Sequence, residues 1–464
     1  MSRLVASGAA LIAVSYGLAR FGLGAFVPEL RDAFDLSGGG IGLVMAAAFG
    51  GYVVALAVAG PLLSSLTART MVLASGVTAT LGLTGVAVAT HPALLAVAAG
   101  LGGLSTGWSS TGLATAVEDQ LALPHRAGAQ TVINAGTSLG LMLAAPVAVA
   151  VGVAWRQAFL VFAVLAAAVT IAAGRAVAHR EVAPPETTAR GWRHLGLTPR
   201  LIATAVLLGV TTALFWSFGR ELVTTTTGVT GDVARLSWFV LGAGGLLGGL
   251  AGRAVHRIGL SAAVAMGWAG LVSAYLIFGV GGAPTAVALF AVALFGAGYM
   301  ALTGLVIVWA VRVRPEQPGA AVAAGFLLLA VGQTVASPVV GLAVDVTGLA
   351  PVSLATSVLA LAGFAIVLPY RMRPGRPRSR EGATDLTVVA DPVSLRGVGT
   401  VEVTATRSVP WPTASPTRPR RTSSSTPTTR STGSHGGRRP SRRRAAATCR
   451  SSSLSATRRA TGAT

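Results

Sequence analysis

An arginine stands inside an apolar run near the start of the chain, in Tyr16-Gly17-Leu18-Ala19-Arg20-Phe21-Gly22-Leu23-Gly24. A guanidinium at a bilayer centre costs about 2.5–3.5 kcal/mol on insertion scales, so a charge kept there is a functional candidate. Its chemistry is narrow. Arginine stays protonated and presents a planar fork of N–H donors that matches carboxylate and phosphate. Helical spacing puts Tyr16, Arg20, Gly24 and Val27 on one face, a surface of small and polar groups suited to a cavity rather than to lipid. With Pro28 as the outer end of the run, Arg20 lies about 12 Å deep at 1.5 Å per residue.

The chain's fifteen acids offer Arg20 little. Glu29, Asp32 and Asp35 lie beyond Pro28, and Glu118 and Asp119 end a run on the opposite side. Glu181, Glu186 and Glu316 belong to loops on that opposite side, Glu221, Asp232 and Asp345 lie near the outer surface, and the remaining four acids are in the C-terminal tail. Three roles for Arg20 stay open: contact with an anionic substrate group, pairing with Glu221, or a structural role in which it snorkels or bonds backbone carbonyls. Trp216, Arg220 and Glu221 in one later run, and Trp108, Asn134, Tyr299 and Gln333 in others, are further candidates to line a cavity. A helix–helix contact would account for each of these equally simply. No run carries an Asp, Glu or His at depth to relay protons, which leaves a rim position for Glu221 as the one carboxylate available for coupling. The single cysteine, Cys449, excludes a cysteine metal cluster or disulfide framework, and no P-loop is present, so neither a metal nor a cofactor is expected.

The elements that must position these residues are apolar runs long enough to cross a bilayer, which takes about 20 residues each. Twelve are centred on residues 5–28, 40–63, 71–90, 93–116, 129–152, 156–174, 201–222, 235–252, 260–280, 285–311, 320–343 and 350–369. Composition agrees: 52% of residues are hydrophobic and only 11% charged, against about 25% charged in soluble domains. The first run is too long for a signal peptide. The longest connector, 175–200, is polar and bears prolines; it divides the array into six-helix bundles at 1–174 and 201–370. Arginines follow the positive-inside pattern, twelve on the side of the N-terminus and this linker against three on the other, so both termini are expected in the cytoplasm. Gly140-x5-Pro146 in the fifth run and Gly332-x5-Pro338 in the eleventh point to a repeated half, with a binding site at the repeat interface.

Residues 371–464 hold 19 of the 36 arginines and are rich in Ser, Thr and Pro, a composition that cannot bury a core. This tail reads as disordered and attracted to anionic lipid, as translation in a shifted frame of GC-rich DNA, or, least of all, as a nucleic-acid arm. No nucleic-acid partner is expected, because nothing accompanies the charge that would read a base. Two strings resemble enzyme motifs. Gly103-Leu-Ser105-Thr-Gly107 lies inside a helical run with no histidine at its level, and Gly242-Ala-Gly244-Gly245-Leu-Leu-Gly248 has no βαβ unit around it. Both read as close-packing helix faces, and no enzyme is expected.

Three local signals resemble the major facilitator superfamily. Gly252-Arg253-Ala-Val-His256-Arg257-Ile-Gly259 is similar to the inner-loop motif Gly-x-x-x-Asp-Arg-x-Gly, with His256 in place of the acid. Gly60 to Arg69 is an eroded copy after the second run, and Trp155-Arg156-Gln-Ala-Phe159 resembles the start of the family's sixth span. Arg20-Phe21-Gly-Leu-Gly-x-x-x-Pro28 resembles the first span of uncharacterised bacterial members called YbfB/YjiJ-like. The resemblance implies an all-α fold of twelve transmembrane helices in two pseudo-repeat halves, a bacterial inner-membrane location, a monomer, and a central cavity lined by spans one and seven. It also implies gating by the inner loops; with the motif acid missing, Glu118 and Asp119 are the candidate substitutes to pair with Arg69. The expected activity is secondary transport of a small organic solute, with an anionic substrate favoured. The alternatives are efflux of apolar or drug-like compounds, and a receptor or scaffold acting through the basic tail.

Overall fold

In lipid, every backbone amide must be satisfied within its own segment or a closed sheet, and this chain does so with helices. The computed structural model describes residues 2–62, 66–178 and 196–367, and no strand occurs among them. Most of the expected linker and the whole basic tail lie outside the described residues. The first span is α1 (Ser2–Ile12), a π-helical turn (Ala13–Arg20), a 3-10 turn (Gly22–Phe26) and α2 (Val27–Phe34). Then follow α3 (Gly38–Leu62), α4 (Ala68–Val88), α5 (Pro92–Gln120), α6 (Leu123–Val151) and α7 (Trp155–Ala176). The second half comprises α8 (Pro199–Thr227), α9 (Asp232–Gly248) with α10 (Ala251–Ile258), α11 (Leu260–Val280), α12 (Thr285–Val313), α13 (Pro318–Thr347) and α14 (Leu349–Val367).

Nine helices among the described residues are long and apolar enough to cross a membrane, and eleven spans result if each of two bent pairs counts as one. The remaining long helix, α5, has 29 residues, about 44 Å of rise, but its glycines, serines and threonines hold its hydropathy down. These segments match the twelve expected runs in order.

The two halves pack by one pattern used twice. In the first, α4 lies on α5 and α7, α3 on α5, and the first span on α6. In the second, α11 lies on α12 and α14, α9 on α12, and α8 on α13. The halves meet where α3 packs on α13, α6 on α9, and the 3-10 turn and α2 on α8. The repeated Gly-x5-Pro strings mark equivalent contacts. A Cβ on Gly140 would strike the Ala13 carbonyl and Gly17 Cα; one on Gly332 would strike the Val206 carbonyl and Gly209 Cα. Pro146 and Pro338 sit inside α6 and α13, six residues on in each case.

The first span departs from the regular helix that its spacing predicts. Winding widens at Ala13–Arg20, tightens at Gly22–Phe26, and the two parts meet at 46°. Gly22 and Gly24 weaken the helix, and Pro28 has no N–H to return to Gly24. The simple face containing Tyr16, Arg20, Gly24 and Val27 is therefore lost, and so is the depth counted at α-helical rise. Phe26 closes the break at φ −117°, ψ 11°. In α8 the same distortion falls at Phe218, φ −132°, ψ 15°. Phe26 follows Gly17 by nine residues, and Phe218 follows Gly209 by nine. The eighth span, expected as one run over 235–252, instead bends by 40° at the Gly248-Gly249 pair.

Overpacking a tight helix contact costs about 1–3 kcal/mol. Gly140→Val and Gly332→Val should each lower the unfolding transition of the detergent-purified protein by an amount in that range. Gly304→Val, where an added Cβ meets nothing within 4 Å, should leave it in place.

Candidate functional site

Arg20 ends the π-helical turn and is 1% exposed. One of its terminal nitrogens donates to Gln333 Oε1 at 2.7 Å, and Gln333 in turn donates to Thr212 Oγ1 at 3.3 Å. Arg20 Nε is buried without a partner. Among the described residues no carboxylate bonds it, and four rings surround it, with its Cζ 4.3 Å from the Tyr52 centroid, 4.8 Å from Phe21, 5.3 Å from Phe49 and 5.7 Å from Tyr16. Such contacts attract a cation through the ring quadrupole but give its N–H groups no lone pair. The triad joins the first span, α13 and α8, hence both halves. It also follows the repeat: Arg20 stands three residues after Gly17, Thr212 three after Gly209, and Gln333 directly after Gly332.

The other candidates divide. Tyr16 Oη bonds Ser110 Oγ at 2.5 Å and donates to Tyr52 Oη at 3.2 Å, a polar line beside Arg20. Trp216 stacks on Phe21 at 3.9 Å and meets Tyr299 edge-on at 5.1 Å, so these rings form an aromatic wall between the halves. Trp216 Nε1 is buried without a partner. Asn134 is exposed and accepts from Gln130 at 3.3 Å; neither it nor the half-buried Trp108 touches Arg20.

Arg220 and Glu221 are placed elsewhere than beside Arg20. Arg220 donates to Glu29 at 2.5 Å and to the Ala25 carbonyl at 2.9 Å. Glu221 accepts from Arg31 at 3.1 Å, so the pairing with Arg20 considered from sequence does not form. Arg235 reaches Glu29 at 3.4 Å and Asp232 at 2.9 Å. Asp345 accepts from the backbone N–H of Gly38 and Gly39 at 2.6 and 2.8 Å, where an acid also complements the positive end of α3. Three of these ion pairs and the Asp345 bonds cross between halves, closing the molecule at this end. A surface cavity of about 490 Å³ takes in Arg31, Asp32, Asp35 and Glu221 on the outer flank. The signal for this clasp is a second repeat, Phe26-Val-Pro-Glu29-Leu30 and Phe218-Gly-Arg-Glu221-Leu222, which sets each carboxylate three residues beyond its helix break.

The opposite end differs. Glu118, Asp119, Arg253, His256, Arg257 and Gly259 are exposed, and Arg69 is half-buried. The ion pairs of Arg31, Arg220 and Arg235 do not involve them, and the expected pairing of Arg69 with Glu118 or Asp119 is not formed. Arg126 instead donates to the Glu118 carbonyl at 2.6 Å. Arg156 of the Trp-Arg-x-x-Phe string donates to the Ala87 and Ala89 carbonyls at 2.8 and 2.7 Å, capping α4 where a cation suits the helix dipole. Ser105 is a helix-packing residue, bonded to the Gly102 carbonyl at 2.6 Å inside α5. The glycines of α9 press on Ser138 and Met142 of α6 and on Ala293 and Ala297 of α12.

Apolar helices packed by one pattern used twice, around a buried polar centre, define a polytopic membrane protein. The Major Facilitator Superfamily model matches residues 9–329, and the chain belongs to that family. It is thus a multi-pass membrane transporter rather than an enzyme. The match is to the superfamily and reaches no finer. Among solved structures, the chain is similar to a mutant of the nucleoside transporter NupG, at 15% identity over 78% of this chain and 99% of that one, with a TM-score of 0.65. It is also similar to a bacterial homologue of the human lysosomal transporter Spinster in an inward-facing, unoccupied conformation, at 13% identity over 79% and 96% of the two chains, with a TM-score of 0.62. No curated protein matches the sequence.

Leaving one member of a buried pair unpartnered costs about 3–5 kcal/mol, and Glu29 serves two arginines. Glu29→Gln should therefore shift the protein toward opening at this end. Spin labels at Ala33→Cys and Thr225→Cys, read by pulsed electron resonance, should report longer distances. Arg31→Glu with Glu221→Arg should restore the parent distribution, whereas either change alone should not.

Proposed function

We propose that the protein is a secondary active transporter of a small organic solute that carries an anionic group, working by alternating access of its two halves. The observation that carries the substrate class is Arg20: a buried cation at the meeting of both halves, held by a neutral amide and aromatic rings, with one N–H unpartnered. Intramembrane cations of this kind pair with other groups or mark substrate paths. Tyr16, Trp216 and Tyr299 are the proposed neighbours of the bound solute, while Gln333 is the group that bonds Arg20 in the empty protein. Arg220, Glu221, Glu29 and Arg31 act as a gate at the end assigned to the outside by the arginine pattern. On that orientation both termini lie in the cytoplasm of a bacterial inner membrane, and the clasp at Glu29 would close the protein to the outside. Arg69, Glu118, Asp119, Arg253, His256, Arg257 and Gly259 then belong to the cytoplasmic gate.

A second reading has its own support. The wall of Phe21, Trp216, Phe295 and Tyr299 would suit an apolar or drug-like solute, with Arg20 reduced to a structural role satisfied by its rings.

A thermal-shift screen separates the two. Acetate, succinate, benzoate and inorganic phosphate are compared with choline and glucose, on parent and Arg20→Gln. A ligand near 100 times its dissociation constant should stabilise by about 2.7 kcal/mol. The anion reading expects one or more anions to stabilise the parent but not a folded Arg20→Gln protein. Equal responses would make Arg20 structural and favour the apolar solute.

A further inference from the structure

We infer that Gln333 is a displaceable stand-in for the substrate's anionic group, occupying Arg20 while the carrier is empty and giving way when solute binds. The inference rests on the anion reading above and names the event that couples binding to movement. Gln333 is fully buried, and among the described residues its amide oxygen is the one acceptor that bonds Arg20. Its amide nitrogen bonds Thr212 of α8, within the second half. The bond to Arg20 is therefore the link between halves, while the bond to Thr212 is not.

An anion competes for this place on favourable terms. The bond to Gln333 is charge-assisted through its donor alone; a carboxylate adds an opposite charge on the acceptor, whose attraction is strong away from water, and can engage two N–H groups at once. Arg20 has an N–H to give, because Nε is buried and unpartnered. The surrounding rings of Tyr52, Phe21 and Phe49 supply no acceptor that would have to be displaced as well. Gln333 stays anchored to Thr212 when it lets go. Binding of solute thus breaks a hydrogen bond between the first span and α13, at the centre of the interface along which the halves must move. Release of solute restores it. Gln333 does not recognise the solute; it occupies one donor of Arg20 until an anion arrives and leaves the charge uncompensated.

The substitution that separates this role from a structural one is Gln333→Glu, which preserves shape and gives Arg20 a permanent counter-ion. The full chain is titrated with acetate, succinate, benzoate and inorganic phosphate, with thermal stability as the readout. Gln333→Glu should melt higher than the parent without ligand, yet bind the responding anion at least about tenfold more weakly, a difference well above one mutant's ordinary scatter. Gln333→Ala should melt lower but bind that anion at least as tightly as the parent, and it decides the matter if Gln333→Glu fails to fold. Undiminished anion binding by folded Gln333→Glu would overturn the inference and leave the anion reading standing. So would loss of binding in folded Gln333→Ala, which would make Gln333 a solute ligand. If the parent responds to none of the four anions, the anion reading falls and the inference with it.

Discussion

The polar centre depends on two close contacts between backbones. Lipid tails are as apolar as leucine, so helices in a bilayer gain little from burying apolar surface and associate through packing and hydrogen bonds. Gly17 against Gly140, and Gly209 against Gly332, bring the first span onto α6 and α8 onto α13 with no side chain between them. Arg20, Thr212 and Gln333 follow those glycines by three, three and one residues. Their meeting is a consequence of the contacts, since a helix locked at one turn fixes where the next turn points. The breaks at Phe26 and Phe218 lie one further step out from the same anchor points.

How Arg20 is satisfied matters as much as where it lies. Each cation–π contact is worth about 0.5–1 kcal/mol when exposed and about 2 or more when desolvated, which is comparable to the cost of placing the charge at depth. Rings and one neutral amide can therefore hold an empty site together. A carboxylate in Gln333's place would hold it more firmly, and would also compete with any anion arriving from solution. A carrier has to be stable both loaded and unloaded, and aromatic neighbours meet that demand without filling the guanidinium's in-plane bonding positions.

Much of this was legible in the chain. The apolar runs gave the helices and their order because a bilayer demands about 20 apolar residues per crossing. The glycine–proline strings gave the repeat, and Arg20 and Gln333 were both singled out by polarity at depth. Three features were not read. Winding changes within the first span leave its composition unaltered, so helical arithmetic across Ala13–Phe26 misplaced the face. The partners Arg31 and Glu221 are 190 residues apart, beyond any local pattern; from sequence Glu221 reads as a rim group that could pair with Arg20, and Arg31 as a charge of the outer side. The Phe-x-x-Glu-Leu repeat was present in the sequence, but its meaning depends on a break that only the backbone reveals. Conversely, the acid pair Glu118 and Asp119 shares a side with Arg69, yet proximity along the membrane normal does not produce contact.

Symmetry and charge are arranged differently at the two ends, and that difference bears on how the halves move. Glu29 and Glu221 occupy the same repeat position, but their arginines do not: Arg31 follows Glu29 by two residues, whereas Arg220 precedes Glu221 by one. The breaks are thus shared by both halves while the clasp is specific to one end. Opening it separates three ion pairs between halves and uncovers the N–H groups that Asp345 caps. Of these pairs Arg220–Glu29 is buried and Arg31–Glu221 partly exposed, so water reaching that end would hydrate charges that the closed clasp keeps largely from it. At the other end the acids Glu118 and Asp119 belong to the first half, and Arg253 and Arg257 to the second. Charges of opposite sign therefore face the same aqueous side from different halves. Exposed pairs are worth at most about 1 kcal/mol each, so those groups could favour closure there without making it permanent. The buried bond between Arg20 and Gln333 is a further link between the two halves, made without any of these end charges.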